Sequence, residues 1–274
     1  KYNQCLKNSF ELANILISIR ALLKLPPSTL ELQIYSNLPK FIDIYALHND
    51  LRNPIIKLMT HLVRAPWNEN FPSLLSYLGT KHSKMIFKSF LYDLTSNIDD
   101  YQFLKNLYRF FSSVMEGKQD GFSILLVTGE TISVGSTLDT SDKGAKTSNV
   151  SVLSLLKKNI LKLDSYPESV ASRLLEAISY AFNSWAAARN NTTDKEFIDF
   201  LVKRLENSEE KTAPKTVLET IKSSSHYRVH ARIAEIFALY LFTASSSDST
   251  ITDMLSGPKL VETVKKIFNV DGYD

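Results

Sequence analysis

The chain has very little glycine: only eight of its 274 residues, of which Gly129, Gly135 and Gly144 fall in one polar stretch. Glycine supplies the positive-φ positions that tight β-hairpins and many phosphate-binding loops require. A chain this poor in glycine has few places for either. The composition therefore argues against β-rich folds and against most enzyme classes.

Cysteine is almost absent as well, since Cys5 is the only one. A single cysteine cannot form a disulfide within the chain or a cysteine-based zinc site, and this favours a reducing compartment. Uncharged apolar runs all fall well short of the roughly 20 residues that span a bilayer. A net charge of +3, with no long run of Lys and Arg, is too small to indicate nucleic-acid binding. We predict neither membrane insertion nor direct contact with nucleic acid.

What the sequence does contain is helical periodicity. Apolar residues at spacings of three and four predict a helix over residues 6–25 that stops at Pro26 and Pro27. Ser28 and Glu31 form a capping-box pattern that opens the next helix, and Thr193 and Glu196 form another. Similar signals predict further helices over residues 41–47, 51–64, 71–78, 81–94, 101–115, 118–128, 150–163, 167–188, 196–205, 215–223, 227–242, 251–255 and 260–268.

These helices predict an all-α protein, in which the best strand candidate, residues 131–134, is weak. Helix pairs recur loosely about every 35 to 50 residues, the range of HEAT and armadillo units. We therefore expect an α-solenoid of HEAT-like and armadillo-like antiparallel helix pairs, with a closed helical bundle as the alternative. We expect residues 1–274 to form one continuous segment of a larger protein, because the chain begins at Lys1 without methionine.

One stretch interrupts this pattern: residues 129–149 have low hydrophobicity and no helical period. Such a length without its own structure is unusual inside a compact domain. We predict a flexible surface loop there that can be deleted without loss of the fold. The helix before it, residues 118–128, is apolar around so much of its circumference that it should be covered on more than one side.

Candidate chemistry is sparse. His226 and His230 lie four residues apart, as in zinc-binding helices of metalloproteases, but Tyr227 stands where those enzymes carry the general-base glutamate. Glycine-flanked segments 117–121 and 129–135 lack the Lys-Ser/Thr pair of a phosphate loop, so helix termination explains them better. We predict no catalytic, cofactor-binding or metal-binding residues and no small-molecule substrate.

Aromatic residues recur at helical spacing in segment 87–92 and at Phe110 and Phe111. They are typical of a helical core, although a peptide-binding groove uses the same residue types. Both interpretations stay open at the level of the sequence.

Residues 110–129 (FFSSVMEGKQDGFSILLVTG) combine an aromatic-rich helix, a short turn with Gln and Gly, and an apolar helix that ends in glycine before a variable loop. In this the chain resembles the large scaffold nucleoporins of the inner ring of the nuclear pore. The nucleoporin-188 branch is the closer match, and the nucleoporin-192/205 branch is the second choice. The resemblance implies a non-enzymatic piece of a long α-solenoid at the nuclear envelope.

The same resemblance implies partners that are other nucleoporins, held through short helical segments in apolar grooves during nucleocytoplasmic transport. It brings no catalytic residue to this chain. Two alternatives remain: an unrelated HEAT-like adaptor or transport receptor, and an enzyme with a helical fold that uses a metal at His226 and His230.

Overall fold

The structure is a computed structural model that describes residues 2–67, 73–96, 98–116, 119–130, 150–185, 188–189, 191–208, 216–242 and 249–268. Within these ranges the secondary structure is entirely helical, with thirteen α-helices and one short 3₁₀ turn. The predicted all-α class, with stacked helices of the α-solenoid kind, is confirmed. None of the described helices is both long and apolar enough to cross a membrane. The predicted loop at 129–149 and the strand candidate at 131–134 lie, from residue 131 onward, outside the described residues.

The chain divides into two compact units, Lys1–Leu155 and Leu156–Asp274, with the division inside helix α8. The predicted organisation of residues 1–274 as one continuous segment stays a prediction. Unit 1 contains seven helices before α8 among its described residues: α1 (Tyr2–Leu22), α2 (Thr29–Ser36), α3 (Leu38–Leu47), α4 (Asn49–Arg64), α5 (Leu74–Thr95), α6 (Tyr101–Glu116) and α7 (Asp120–Thr128).

Helix α8 covers Val152–Ile160. The described part of unit 2 beyond it holds the 3₁₀ turn Leu163–Ser165 and five helices: α9 (Glu168–Ser184), α10 (Asn191–Glu206), α11 (Val217–Phe242), α12 (Ser249–Leu255) and α13 (Pro258–Phe268). In unit 1, α4 packs against α1, α3 and α6, and α5 packs against α3 and α7. In unit 2, α9 packs along α11, and α10 packs against α12 and α13. Each unit is therefore a set of layered helices.

Several helix ends follow the sequence signals. Ser28 caps α2, where its side chain accepts from the Leu30 amide while Glu31 accepts from the Ser28 amide, so the capping box is confirmed. Gly79 interrupts α5 with φ +61° and ψ −179°, at the predicted boundary between two helices. Gly129 ends α7 in the left-handed conformation, with φ +78°, and its amide donates to Leu125 O. Positive φ is the reason that these two positions carry glycine.

Other ends were predicted wrongly. Helix α10 begins at Asn191, so Thr193 lies inside its first turn and not before the helix as predicted. Residues 217–242 form one helix, α11, where two were predicted, because the Ser223, Ser224 and Ser225 run continues the helix. Serine has a modest helix propensity, which is a weak preference that does not by itself end a helix.

Aromatic side chains fill the core of unit 1. Phe90, Phe110 and Phe111 are fully buried, and the Phe90 ring centroid lies 5.8 Å from that of Phe110 and 5.1 Å from that of Phe111. Phe122 of α7 extends this cluster, 6.3 Å from Phe110. The interpretation of Phe110 and Phe111 as core is confirmed, and the groove alternative is wrong for these two side chains.

Candidate interaction surfaces

The two histidines that suggested a metal site lie close together on α11. Their ring centroids are 4.1 Å apart with an edge-on geometry, and His230 is buried. His226 Nδ1 lies 3.4 Å from Oε1 of Glu168 at the start of α9. The described residues contain no group of three or more His, Cys, Asp or Glu side chains that could hold a metal ion. Their geometry is that of a ring contact at the packing of α9 on α11.

The phosphate-loop candidates divide between described and undescribed residues. Gly129 is the C-cap residue directly after α7, and Gly121 lies inside α7. Both therefore belong to a helix and its termination, as the sequence indicated. Gly117 and Gly135 lie outside the described residues.

A buried polar network connects α3, α4 and α5 in unit 1. Tyr45 Oη donates to Asp93 Oδ2 at 2.7 Å, and Arg52 donates to Asp93 Oδ1 at 2.5 Å and to Tyr45 O at 3.1 Å. Burial raises the pKa of Tyr45 well above its usual value, and the Asp93 carboxylate adds to the effect. Burial also raises the pKa of Asp93, against the opposing influence of Tyr45 and Arg52. The network fixes three helices in register.

A polar cavity of about 630 Å³ opens beside this network, between the start of α1, the start of α4 and the end of α5. Its lining includes Lys7, Glu11, Asn53, Asp100 and the Arg52–Asp93 pair. Asn53 accepts a hydrogen bond from Asn106, and Asp100 accepts from the Phe103 amide at the start of α6. Asn53, Asp100 and the Arg52–Asp93 pair therefore serve helix packing and capping, which gives this part of the cavity lining a structural explanation.

A second buried network lies in unit 2. Lys157 of α8 donates to Asp194 Oδ1 at 2.5 Å and to Ala188 O at 2.6 Å. Its ammonium group lies 5.2 Å from the ring centroid of Phe182 and 5.7 Å from that of Phe197. Burial lowers the pKa of Lys157, while the carboxylate of Asp194 acts in the opposite direction. The buried ammonium group of Lys157 thus connects α8 to Phe182 of α9 and to Asp194 and Phe197 of α10.

One exposed apolar surface of unit 1 lies on α1 and on Leu23, the residue directly after it, and we call this surface the α1 stripe. It consists of large aliphatic side chains at helical spacings of three, four and one: Leu12, Ile15, Leu16, Ile19, Leu22 and Leu23. Between 44% and 82% of each residue is exposed. Folded proteins expose single apolar residues routinely, but a contiguous row of six marks an interaction surface.

The opposite face of α1 packs into unit 1. It carries Phe10 and Ile17, and both are buried: Phe10 packs edge-on against Phe41 at 5.2 Å. The signal for the α1 stripe was present, because a helix that is apolar on both faces is expected to be covered on both. The sequence prediction of cover on more than one side concerned residues 118–128 only.

A smaller exposed patch lies at the beginning of α11. Val217, Leu218 and Ile221 are exposed by 79%, 61% and 58%. Their spacing places them on one side of the first turns of the helix. Both units therefore present aliphatic side chains of the type that packs against other helices.

Comparison with known proteins shows that the chain is similar to nucleoporins. Residues 1–130 match a family model described as nucleoporin Nup188, N-terminal subdomain III. The whole chain is 38% identical to nucleoporin NUP188 of Saccharomyces cerevisiae, and it spans 17% of that protein. It is also 26% identical, over 97% of its length, to nucleoporin nup184 of Schizosaccharomyces pombe, and again spans 17% of the relative.

Proposed function

Because the chain is a Nup188-like nucleoporin, we propose that it is a structural scaffold segment of the nuclear pore complex at the nuclear envelope. The observation that carries the proposal is the 38% identity along the full length of the chain. The helical layers of both units support it, because a stack of helix pairs offers long packing surfaces without catalytic loops. No chemical step belongs to this function.

The finer part of the proposal concerns partners. We infer that other nucleoporins bind this region through short amphipathic helices, whose apolar faces pack on exposed aliphatic side chains. The patch at Val217, Leu218 and Ile221 has the composition that such helices require. No small-molecule substrate, nucleic acid or membrane insertion enters this proposal.

Two measurements test the proposal at its two levels. The full-length protein that contains this chain, tagged with a fluorophore in its own cells, should concentrate at the nuclear rim and copurify with nucleoporins. A uniform distribution, with soluble cargo proteins as the copurified partners, would instead indicate a transport receptor or adaptor.

The partner level is tested with the 274-residue chain and synthetic 20-residue amphipathic segments from the adaptor nucleoporins of the inner ring. Fluorescence anisotropy should show saturable binding of at least one segment. The control is the same segment with its residues shuffled so that the apolar face is lost. Equal binding of native and shuffled segments, or no binding by any segment, contradicts capture of partner helices by this region.

A further inference from the structure

The two faces of α1 have opposite environments although both are apolar. Phe10, Asn14 and Ile17 point into unit 1 and are buried, and Asn14 donates to Pro54 O of α4 at 2.9 Å. The α1 stripe is centred on the other side of the helix, since residues 12, 16 and 19 are about half a turn away from 10, 14 and 17. Packing within unit 1 therefore uses only one of two apolar faces.

Helix α7 is also apolar on more than one face, but unlike α1 it is covered on these faces within unit 1. Its side chains Phe122, Leu125, Leu126 and Val127 are buried, and so is Ser123, whose hydroxyl donates to Val114 O. The expectation that α7 is covered on more than one side is therefore confirmed. Since α1 has the same two-sided apolar character, the α1 stripe is a surface that the described helices of unit 1 leave without a second layer.

The chemistry of the stripe selects the kind of contact that covers it. Six large aliphatic side chains stand in a row with no ionised side chain among them. Permanent interfaces are strongly apolar, like a domain core cut in half, whereas transient contacts between proteins are more polar. The stripe runs through about three helical turns, or roughly 18 Å, which matches one side of a helix-on-helix contact.

We propose that the α1 stripe is an internal packing face of the longer nucleoporin polypeptide, covered there by an amphipathic helix from a neighbouring N-terminal subdomain outside residues 1–274. Two findings favour this occupant over a separate partner. The segment that begins with α1 matches a family model described as a third N-terminal subdomain. The relatives are also about six times longer than the chain, which spans 17% of each of them. The proposal rests on family membership and is independent of partner capture.

The test compares amide hydrogen exchange of α1 in the 274-residue chain and in the full-length protein. In the full-length protein we expect exchange of residues 12–23 to slow by at least about tenfold, because a covering helix must move away before the amides open. In the full-length protein, Ile15→Lys should restore fast exchange in this segment. In the 274-residue chain the same substitution should leave the melting temperature unchanged.

Leu47→Lys is the matched control, since Leu47 is an aliphatic residue at the end of α3 that is 76% exposed and lies outside the stripe. It should leave exchange of α1 unaltered in both proteins. Equal exchange of residues 12–23 in the two proteins overturns the proposal. Slow exchange in the short chain that grows with its concentration also overturns it, in favour of a second copy of the chain.

Protection of α1 that appears only after a separate nucleoporin is added overturns the proposal in favour of an intermolecular partner. These readouts are distinct from nuclear-rim localisation and peptide binding. The intramolecular cover and the proposed scaffold function can therefore fail separately.

Discussion

Replacement of Lys157 by methionine should strongly destabilise unit 2. Methionine keeps most of the length of the lysine side chain and removes its charge, so Asp194, which is fully buried, loses the ammonium group 2.5 Å away. Removing one partner of a buried ion pair costs about 3–5 kcal/mol, because the remaining charge stays desolvated. The carbonyl of Ala188 loses a donor as well, and Phe182 and Phe197 lose a cation.

The location of Asp194 moderates this loss. Asp194 lies in the first turn of α10, where the helix dipole favours a negative charge. We therefore expect Lys157→Met to lower the free energy of unfolding by about 3 kcal/mol, the lower limit of the range for a broken buried ion pair. The double variant Lys157→Met/Asp194→Asn, which has no charge left to bury, should be more stable than Lys157→Met alone.

Urea unfolding followed by the fluorescence of Trp185 measures these differences in the free energy of unfolding of unit 2. A Trp67→Phe background removes the other tryptophan. The control is Lys203→Met, because Lys203 and Asp199 form a pair of the same length whose side chains are 67% and 41% exposed. Exposed pairs contribute at most about 1 kcal/mol. Equal losses for Lys157→Met and Lys203→Met would refute the reasoning.

Three further predictions concern unit 1. Ser28→Ala should cost about 1 kcal/mol of unfolding free energy in urea, because the capping box of α2 loses its acceptor, and no loss would show that the cap is dispensable. Gly79→Ala should cost about 1–3 kcal/mol from backbone strain alone, since nothing lies within 4 Å of the added Cβ; an unchanged melting temperature contradicts this. Burial, together with the positive charges of Arg109, Lys57 and Arg64, lowers the pKa of His61 below 6.5. The folded state therefore favours the neutral imidazole, and the stability that this preference provides at neutral pH is lost as the pH falls below about 6.5. His61→Gln should therefore flatten the decline in stability from pH 7 to 5, and identical slopes would contradict the assignment.

The helices were predictable where a local signal decided the outcome. Ser28, Gly79 and Gly129 each create or end a helix through backbone geometry that depends on neighbouring residues only. The start of α10 and the unbroken α11 were missed because the local signals there, a capping pattern at Thr193 and a run of three serines, are only weak preferences. The Thr193 and Glu196 pair has the sequence pattern of a capping box, but the same residues also fit inside a helix that starts two residues earlier, at Asn191.

The polar networks were beyond sequence reasoning. Tyr45 and Asp93 are 48 residues apart, and Lys157 and Asp194 are 37 apart, so only the folded layers bring them together. Their residue types carry no hint of the pairing, since lysine and aspartate are mostly exposed in proteins. The α1 stripe differs from these networks, because its spacing can be read from the sequence once both faces of the helix are considered.

The contrast between α1 and α7 shows how exposure identifies a missing layer. Both helices are apolar on two faces; α7 packs against both α5 and α6, whereas the α1 stripe is exposed among the described residues of unit 1. Each half-exposed aliphatic side chain of the stripe would contribute roughly 1 kcal/mol of stabilising free energy if its remaining surface were buried. The covering helix proposed above would recover that free energy by burying the α1 stripe, so burial of the stripe should stabilise unit 1.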